Sequence, residues 1–202
     1  MLAYVFWHLP APETDRTAYE EGLRRFHEAL DAAPPGGFRR SFALRAEELP
    51  WLPGGPGYED WYVIDASWAL DTLNEAAVDA HRRAAHDAVA VQAAEGAGGL
   101  YRLRAGEPDV AGGWAAWFAK PAGTSYEELF GLLEPAAKAA ALWQRQMVLG
   151  PAPEFCLLSP APRALPGGLV TQAGPRTQIW PSGEPHQGRG STLSGIKRSP
   201  TP

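Results

Sequence analysis

The chain has one cysteine, Cys156, in 202 residues, which excludes an intramolecular disulfide and any cysteine-built metal cluster. Cys156 lies in the apolar run Phe155-Cys156-Leu157-Leu158, the setting of a buried structural thiol rather than of a nucleophile. Lysine is scarce too: it stands only at Lys120, Lys138 and Lys197, so arginine dominates the 18 basic residues. Alongside abundant alanine, 22 Gly and 20 Pro, that bias reads as GC-rich bacterial coding rather than selection for guanidinium chemistry. No stretch reaches the ~18 consecutive apolar residues of a membrane span. The apolar residues 2–9 follow no basic segment and are too short for a signal sequence, so the expectation is a cytoplasmic protein with no membrane partner. A net charge of −5 and a pI near 5.5 exclude a general attraction to nucleic acid or anionic lipid. Also missing are a Gly-x-Gly-x-x-Gly after a strand, a Gly-Lys-Ser/Thr loop, a Gly-x-Ser-x-Gly elbow and a His-Glu-x-x-His pair. No cofactor and no metal site are therefore expected.

What the chain does have is aromatic mass and alternation. Hydrophobic residues make up 45%, with eight Trp, seven Phe and six Tyr, enough to fill a core and line a cavity besides. Residues 2–9 read as a strand closed by Pro10 and Pro12. Thr14 or Asp15 caps a helix to about residue 33, on which Tyr19, Leu23, Phe26 and Leu30 recur at helical spacing. Residues 38–45 alternate as a second strand, with Phe38, Arg40, Phe42 and Leu44 on one face. A Gly- and Pro-rich connection around Trp51 leads to a third strand at residues 60–67. Asp71 or Thr72 opens an Ala-rich helix to about residue 94, ended by Gly96-Ala97-Gly98-Gly99, and residues 100–104 form a fourth strand. The order β-α-β-β-α-β is the ferredoxin-like signature.

The chain then begins again. Trp114-Ala115-Ala116-Trp117-Phe118-Ala119-Lys120-Pro121 repeats the opening aromatic run closed by Pro10, and Ser125-Tyr126-Glu127-Glu128-Leu129 repeats the helix start Ala18-Tyr19-Glu20-Glu21-Gly22. Residues 114–120 read as a strand and 125 to about 147 as a helix that Pro135 kinks or splits. Residues 155–159 follow as a strand, and 169–172 with 176–180 as one more strand or a hairpin. The expected organisation is a ferredoxin-like repeat at 1–107, a shortened β-α-β-β repeat at 112–181, and a flexible tail at 182–202.

Among ionisable residues the histidines come first. His81 and His86 are ~140° apart round the predicted second helix, so they do not grip one metal ion together and at most one faces a cavity. His27, beside Phe26, is expected to face water. His8 shares a strand face with Tyr4 and Phe6; it is an acid–base group if that face lines a cavity, and a packed strand-end residue otherwise. Arg39 with Arg45, and Arg102 with Arg104, share strand faces. Such a face either holds a carboxylate or phosphate, or is the solvated side of an antiparallel sheet.

The run Trp61-Tyr62-Val63-Ile64-Asp65-Ala66-Ser67-Trp68, the helical turns Ala80-His81-Arg82-Arg83-Ala84-Ala85-His86 and the Gly37-Phe38 strand opening resemble the dimeric α/β-barrel superfamily, in particular its antibiotic-biosynthesis-monooxygenase-like members. The resemblance implies an α+β fold in which two ferredoxin-like sheets pack face to face round a cavity. A tandem chain builds that barrel alone, as a pseudo-dimer, and acts as a monomer or a homodimer. Haem-binding tandem members take an axial histidine from their second repeat, where this chain has none before His186. Haem-degrading members use a first-strand Asn and a Trp and a His on the second helix; the first strand here has aromatic residues and His8, His86 stands near the expected helix position, and Ala76 and Ala77 stand where the Trp belongs. Three functions remain. The first is binding of a small hydrophobic molecule in an aromatic cavity between the sheets. The second is a cofactor-independent monooxygenase or isomerase of a hydrophobic carbonyl compound, and the third a structural protein whose cavity is filled. The expected ligand-binding residues are Tyr4, Phe6, Trp7, Arg40, Trp61, Arg102 and Trp117, with His8 and His86 handling protons and Arg40 or Arg102 steadying enolate charge.

Overall fold

The computed structural model describes residues 1–52, 54–108, 113–167 and 169–182, so all but the first residue of the predicted tail lies outside the described residues. Strand β1 (Leu2–Pro10) alternates as its sequence does: Ala3, Val5, Trp7 and Leu9 join one core, while Leu2, Tyr4 and Phe6 join another on the opposite face. Helix α1 (Arg16–Ala32) starts where Asp15 accepts the Ala18 N–H at 2.8 Å, and buries Tyr19, Leu23, Phe26, His27 and Leu30 along one stripe. Strands β2 (Phe38–Ala46) and β3 (Gly57–Ile64) follow, then two short helices, α2 (Ala69–Ala77) and α3 (Arg83–Ala90), and the long strand β4 (Ala93–Gly106). The remainder is β5 (Trp114–Phe118), α4 (Tyr126–Ala137), β6 (Ala141–Arg145), β7 (Phe155–Ser159) and β8 (Val170–Trp180). Ser125 and Glu128 form a reciprocal capping box at the start of α4.

The strands close into a barrel in the order β1-β3-β2-β8-β5-β7-β6-β4, with every neighbouring pair antiparallel. Read by halves, the order is β4-β1-β3-β2 and then β8-β5-β7-β6, and the seams β2–β8 and β4–β6 join the two. The helices lie outside. Trp7, Trp61, Trp117 and Trp143 fill the interior, each at most 1% exposed. Their rings pack at 5.6 Å (Trp7–Trp117), 6.0 Å (Trp61–Trp117) and 5.7 Å (Trp61–Trp143). Each buried indole removes enough apolar area from water to contribute up to about 5 kcal/mol. The space between the sheets that was expected to be an aromatic cavity is therefore largely filled by its own aromatics.

Two helices differ from expectation. The predicted helix from residue 71 to about 94 is broken between α2 and α3, and Gly96-Ala97-Gly98-Gly99 lies inside β4 rather than ending a helix. These glycines clear space for the rings of β1: a Cβ at Gly96 would meet the Phe6 ring, at Gly98 the Tyr4 ring and at Gly99 the Trp7 ring. The helix predicted to run from Ser125 to about residue 147 stops at Ala137, and residues 141–145 become β6. Pro135 removes a hydrogen bond from its last turn, Ala139 turns the chain at φ 55°, and Ala141–Arg145 is needed between β4 and β7 to close the barrel. Phe38 also leaves its expected face. The register shifts between Phe38 and Arg40, so Phe38 packs outward with Leu30 and Leu73 while Arg40 pairs with interior Val63.

Candidate functional site

The outer face of the first half carries the polar residues. β1 offers Tyr4, Phe6 and His8, and β3 offers Tyr58, Asp60 and Tyr62, brought opposite one another by the pairs Tyr4–Tyr62, Phe6–Asp60 and His8–Tyr58. α1 lays Tyr19, Leu23, Phe26 and His27 across them, and α2 and α3 stand off far enough to leave a cleft of about 460 Å³. Tyr4, Phe6, Phe26 and Tyr62 line it from below, with Leu73, Asn74, Ala77 and His86 from the helices. A smaller recess of about 90 Å³ shares Phe6, Phe26, Tyr62 and His86 with the cleft and reaches His8, Tyr19 and Asp60.

Asp60 is the centre of the site. His8 Nε2 lies 3.1 Å from its Oδ2 and His27 Nε2 3.3 Å from its Oδ1, with the Tyr62 hydroxyl donating to Oδ2 at 3.4 Å. Beyond the rings, His8 Nδ1 meets the Tyr19 hydroxyl at 2.7 Å and His27 Nδ1 the Ser41 hydroxyl at 2.7 Å. Burial alone would raise the Asp60 carboxyl, but the charge and N–H groups of the two imidazoles outweigh it and hold it below the usual carboxylate range. Each imidazole thus presents its Nε2 edge to the Asp60 carboxylate and its Nδ1 edge to a hydroxyl. The His27–Asp60 contact is off the hydrogen-bond line, leaving His27 Nε2 and Asp60 Oδ1 without an aligned partner. Burial, joined by the Asp60 charge, pushes the Tyr19 and Tyr62 hydroxyls above the ordinary phenol range. The result is a hydrogen-bonded run Tyr19–His8–Asp60–Tyr62, with the His27–Ser41 pair set against the other Asp60 oxygen, lying beneath an aromatic cleft.

His86 sits at the mouth. Its Nδ1 lies 2.9 Å from Asp87 Oδ1 and its ring packs edge-on to Phe26 at 5.6 Å, which leaves Nε2 as the nitrogen able to take a proton. His81 is exposed in the break between α2 and α3, where its backbone N–H donates to Asp79. Of the two histidines of that segment, one lines the cleft. Among the described residues no group of three His, Cys, Asp or Glu side chains is arranged to hold a metal ion.

The expected residues divide. Tyr4, Phe6, His8 and His86 come together at the cleft and its recess. Trp7 and Trp61 lie in the barrel interior, and Trp117 lines a different cavity at a barrel end. Arg40 is on the interior side of β2, and Arg102 is exposed, donating through Nε and Nη2 to Gln146 at 3.1 Å. Neither arginine lines the cleft, so no guanidinium stands ready for enolate charge there. Arg39 pairs with Asp65, Arg45 with Glu20, and Arg104 with Gln144. His27 does not face water: it is fully buried against Asp60. Asp60, His27, Tyr19 and Tyr62 were missed as a group. The available signal was Asp60 itself, a carboxylate in a strand whose every residue is buried.

The outer face of the second-half strands is apolar. Phe118 pairs with Phe155 as His8 pairs with Tyr58, and Ala116 with Leu157 as Phe6 with Asp60. Under α4 these side chains cluster with Leu129 and Leu133, and beside them α4, β4 and β6 border a cleft of about 600 Å³ lined by Phe130, Leu133, Ala137 and Leu142.

No protein-family model matches the chain, and no curated protein matches it. Among solved structures it is similar to a protein from Fusobacterium nucleatum subsp. nucleatum ATCC 25586 that carries the provisional name of a monooxygenase. That match has 12% identity and a TM-score of 0.53, and covers 77% of this chain and 73% of that one. It is also matched to a dimeric ferredoxin-like protein of unknown function from Thermobifida fusca YX, at 12% identity and a TM-score of 0.36, over 49% of this chain and 87% of that one. The likeness to the former is one of fold: an α+β architecture, seen here as a closed eight-stranded barrel.

Proposed function

We propose that the first half of the chain binds a small, flat, largely apolar molecule with one polar group in the cleft between its sheet and its helices. The His8–Asp60–His27 cluster and His86 face that polar group. In this reading the chain is a fused pair of ferredoxin-like units, supported by the matching strand orders of the halves. Residues 1–107 carry the site and residues 112–181 complete the barrel. The observation that carries the proposal is coincidence: in the first half a cleft lies over the His8–Asp60–His27 cluster, while the cleft of about 600 Å³ beside α4 in the second half has apolar side chains such as Leu133 and Leu142 beneath it.

A second reading is favoured by His86. A base at the mouth of an apolar cleft, with a carboxylate-centred hydrogen-bonded run beneath, suits proton abstraction next to a carbonyl. That is the entry step of cofactor-independent isomerase or monooxygenase chemistry, and the Fusobacterium protein of similar fold carries a monooxygenase name.

The test is a titration with 2-naphthol, a flat apolar probe with one ionisable hydroxyl, followed by backbone and His86 side-chain NMR shifts. Saturable shifts at Phe6, Phe26 and His86 are expected. They should vanish in Ala77→Phe, which plugs the cleft from α2, while that variant keeps its fold. Shifts that survive in Ala77→Phe, or that never appear at the cleft, overturn the proposal.

A further inference from the structure

The barrel interior is filled unevenly. β1, β3, β5 and β6 bring tryptophans, but β8 brings Gln172, Gly174 and Arg176, placed inward by the pairs Gln172–Trp117, Gly174–Ala115 and Arg176–Ala46. Where Gly174 contributes no side chain, a cavity of about 410 Å³ opens at the end of the barrel beneath the β2–β3 connection. It is separate from the outer cleft: no lining residue is shared.

The chemistry of its walls has a sign. Among the described lining residues Arg176 is the one cation, and its guanidinium is already neutralised: Nη2 and Nε donate to Glu59 Oε1 at 2.9 and 3.1 Å, and Nη1 donates to the Gly174 and Pro175 carbonyls. Glu47 and Glu48, both exposed, stand among the lining residues and leave the site with excess negative charge. Trp51 and Trp117 meet edge to face at 5.0 Å and 68°, a corner of two π-systems, and negative ring faces attract organic cations. Two buried polar atoms of the lining lack a partner: the Gln172 Oε1 acceptor and the Trp51 Nε1 donor. An ammonium group suits the first together with the carboxylates, and an oxygen acceptor on the same molecule suits the second.

We propose that this barrel-end cavity is a second ligand site, taking a small amino alcohol with an apolar body. Its ammonium is held by Gln172, Glu47 and Glu48 against the indole faces, and its hydroxyl accepts from Trp51. The site stands independently of the outer cleft and of any reaction there.

The probe is 2-amino-1-phenylethanol, titrated at neutral pH into nitrogen-15-labelled protein. The readout is the Trp51 indole N–H, identified by its loss in Trp51→Phe. A saturable shift is expected, with none from mandelate, which presents the same body with a carboxylate. The exposed double variant Glu47→Gln/Glu48→Gln should weaken binding about fivefold, and Gln172→Leu about tenfold. Ala77→Phe should bind as wild type. The proposal is overturned if the amine gives no saturable shift, if mandelate shifts the signal equally, if the glutamine pair binds as tightly as wild type, or if Ala77→Phe abolishes the shift and so places the amine in the outer cleft.

Discussion

The two halves of this barrel solve one packing problem in opposite ways. Four residues after its N-cap, α1 places Tyr19 on the sheet and α4 places Leu129; twelve residues after, His27 and Ala137. Beneath them lie His8, Tyr58 and Asp60 in the first half and Phe118, Phe155 and Leu157 in the second. In the second half the Phe118 and Phe155 rings stack at 5.4 Å and the helix sits directly on them. In the first half that area holds a carboxylate, two imidazoles and three phenols, and the neighbouring helices stand off from a cleft. A buried ion pair is a weak contributor to stability against well-packed apolar groups of similar size. The second half shows that an apolar solution is open to this architecture, so the polar cluster is not what the fold requires.

The comparison can be broken by exchange, and the largest effect is expected from moving a charge to the wrong side. Leu157→Asp places a carboxylate in the second half with no imidazole to meet it, and urea denaturation should show a loss of about 4 kcal/mol. Asp60→Leu leaves two imidazoles and the Tyr62 hydroxyl without their acceptor, at a cost of about 3 kcal/mol. The triple variant His8→Phe/His27→Ala/Asp60→Leu removes the stranded imidazoles and should recover part of that loss, short of wild type because the Tyr19, Ser41 and Tyr62 hydroxyls lose their partners, while losing cleft binding. A triple variant less stable than Asp60→Leu alone would sink the comparison.

Acid sharpens it further. Asp60 is held below its ordinary pKa in the folded state, so its contribution is fully present above the unfolded value of about 3.9 and is lost as pH falls from there through the folded value. Stability measured across that range should fall with a slope that is shallower in Asp60→Asn, the remainder belonging to Asp79 and Glu128, which are also held low. The smallest effect concerns the interior counterparts Glu59 and Cys156, which face Trp7 and Trp117 respectively. Burial pushes the Cys156 thiol well above its usual range. A thiol reagent should leave the native protein unlabelled and react stoichiometrically once the barrel is unfolded in denaturant.

The first half was largely legible in the sequence because local signals and tertiary demand agree there. The alternation of Ala3, Val5 and Trp7, the Asp15 cap and the stripe from Tyr19 to Leu30 all say what the barrel also needs. Legibility failed where closure overrode propensity. The Ala-rich segment before Trp143 reads as helix from its own composition, yet β4 and β7 require a strand between them. The glycines of β4 read as punctuation because the rings they accommodate belong to a strand some ninety residues earlier. His8 and His86 were visible as candidates, since one lies on an aromatic strand face and the other on a neighbouring helix. The link between them was not visible. Asp60 and His27 are 33 positions apart, and nothing local says that a helix histidine turns inward to a strand carboxylate.

The closed ring of strands also governs how the chain comes into being. Arg45 and Thr177 meet across 132 positions, at the seam where β2 receives β8. Until that last strand arrives, the free edge of β2 offers unpaired backbone groups to any passing strand. Such distant pairings form slowly, since loop-closure entropy is lost before the contacts that offset it are made. On the ribosome, then, β8 is the latch. A chain interrupted before residue 170 is left with an open edge, and the quality-control machinery meets a nearly complete barrel that is still adhesive.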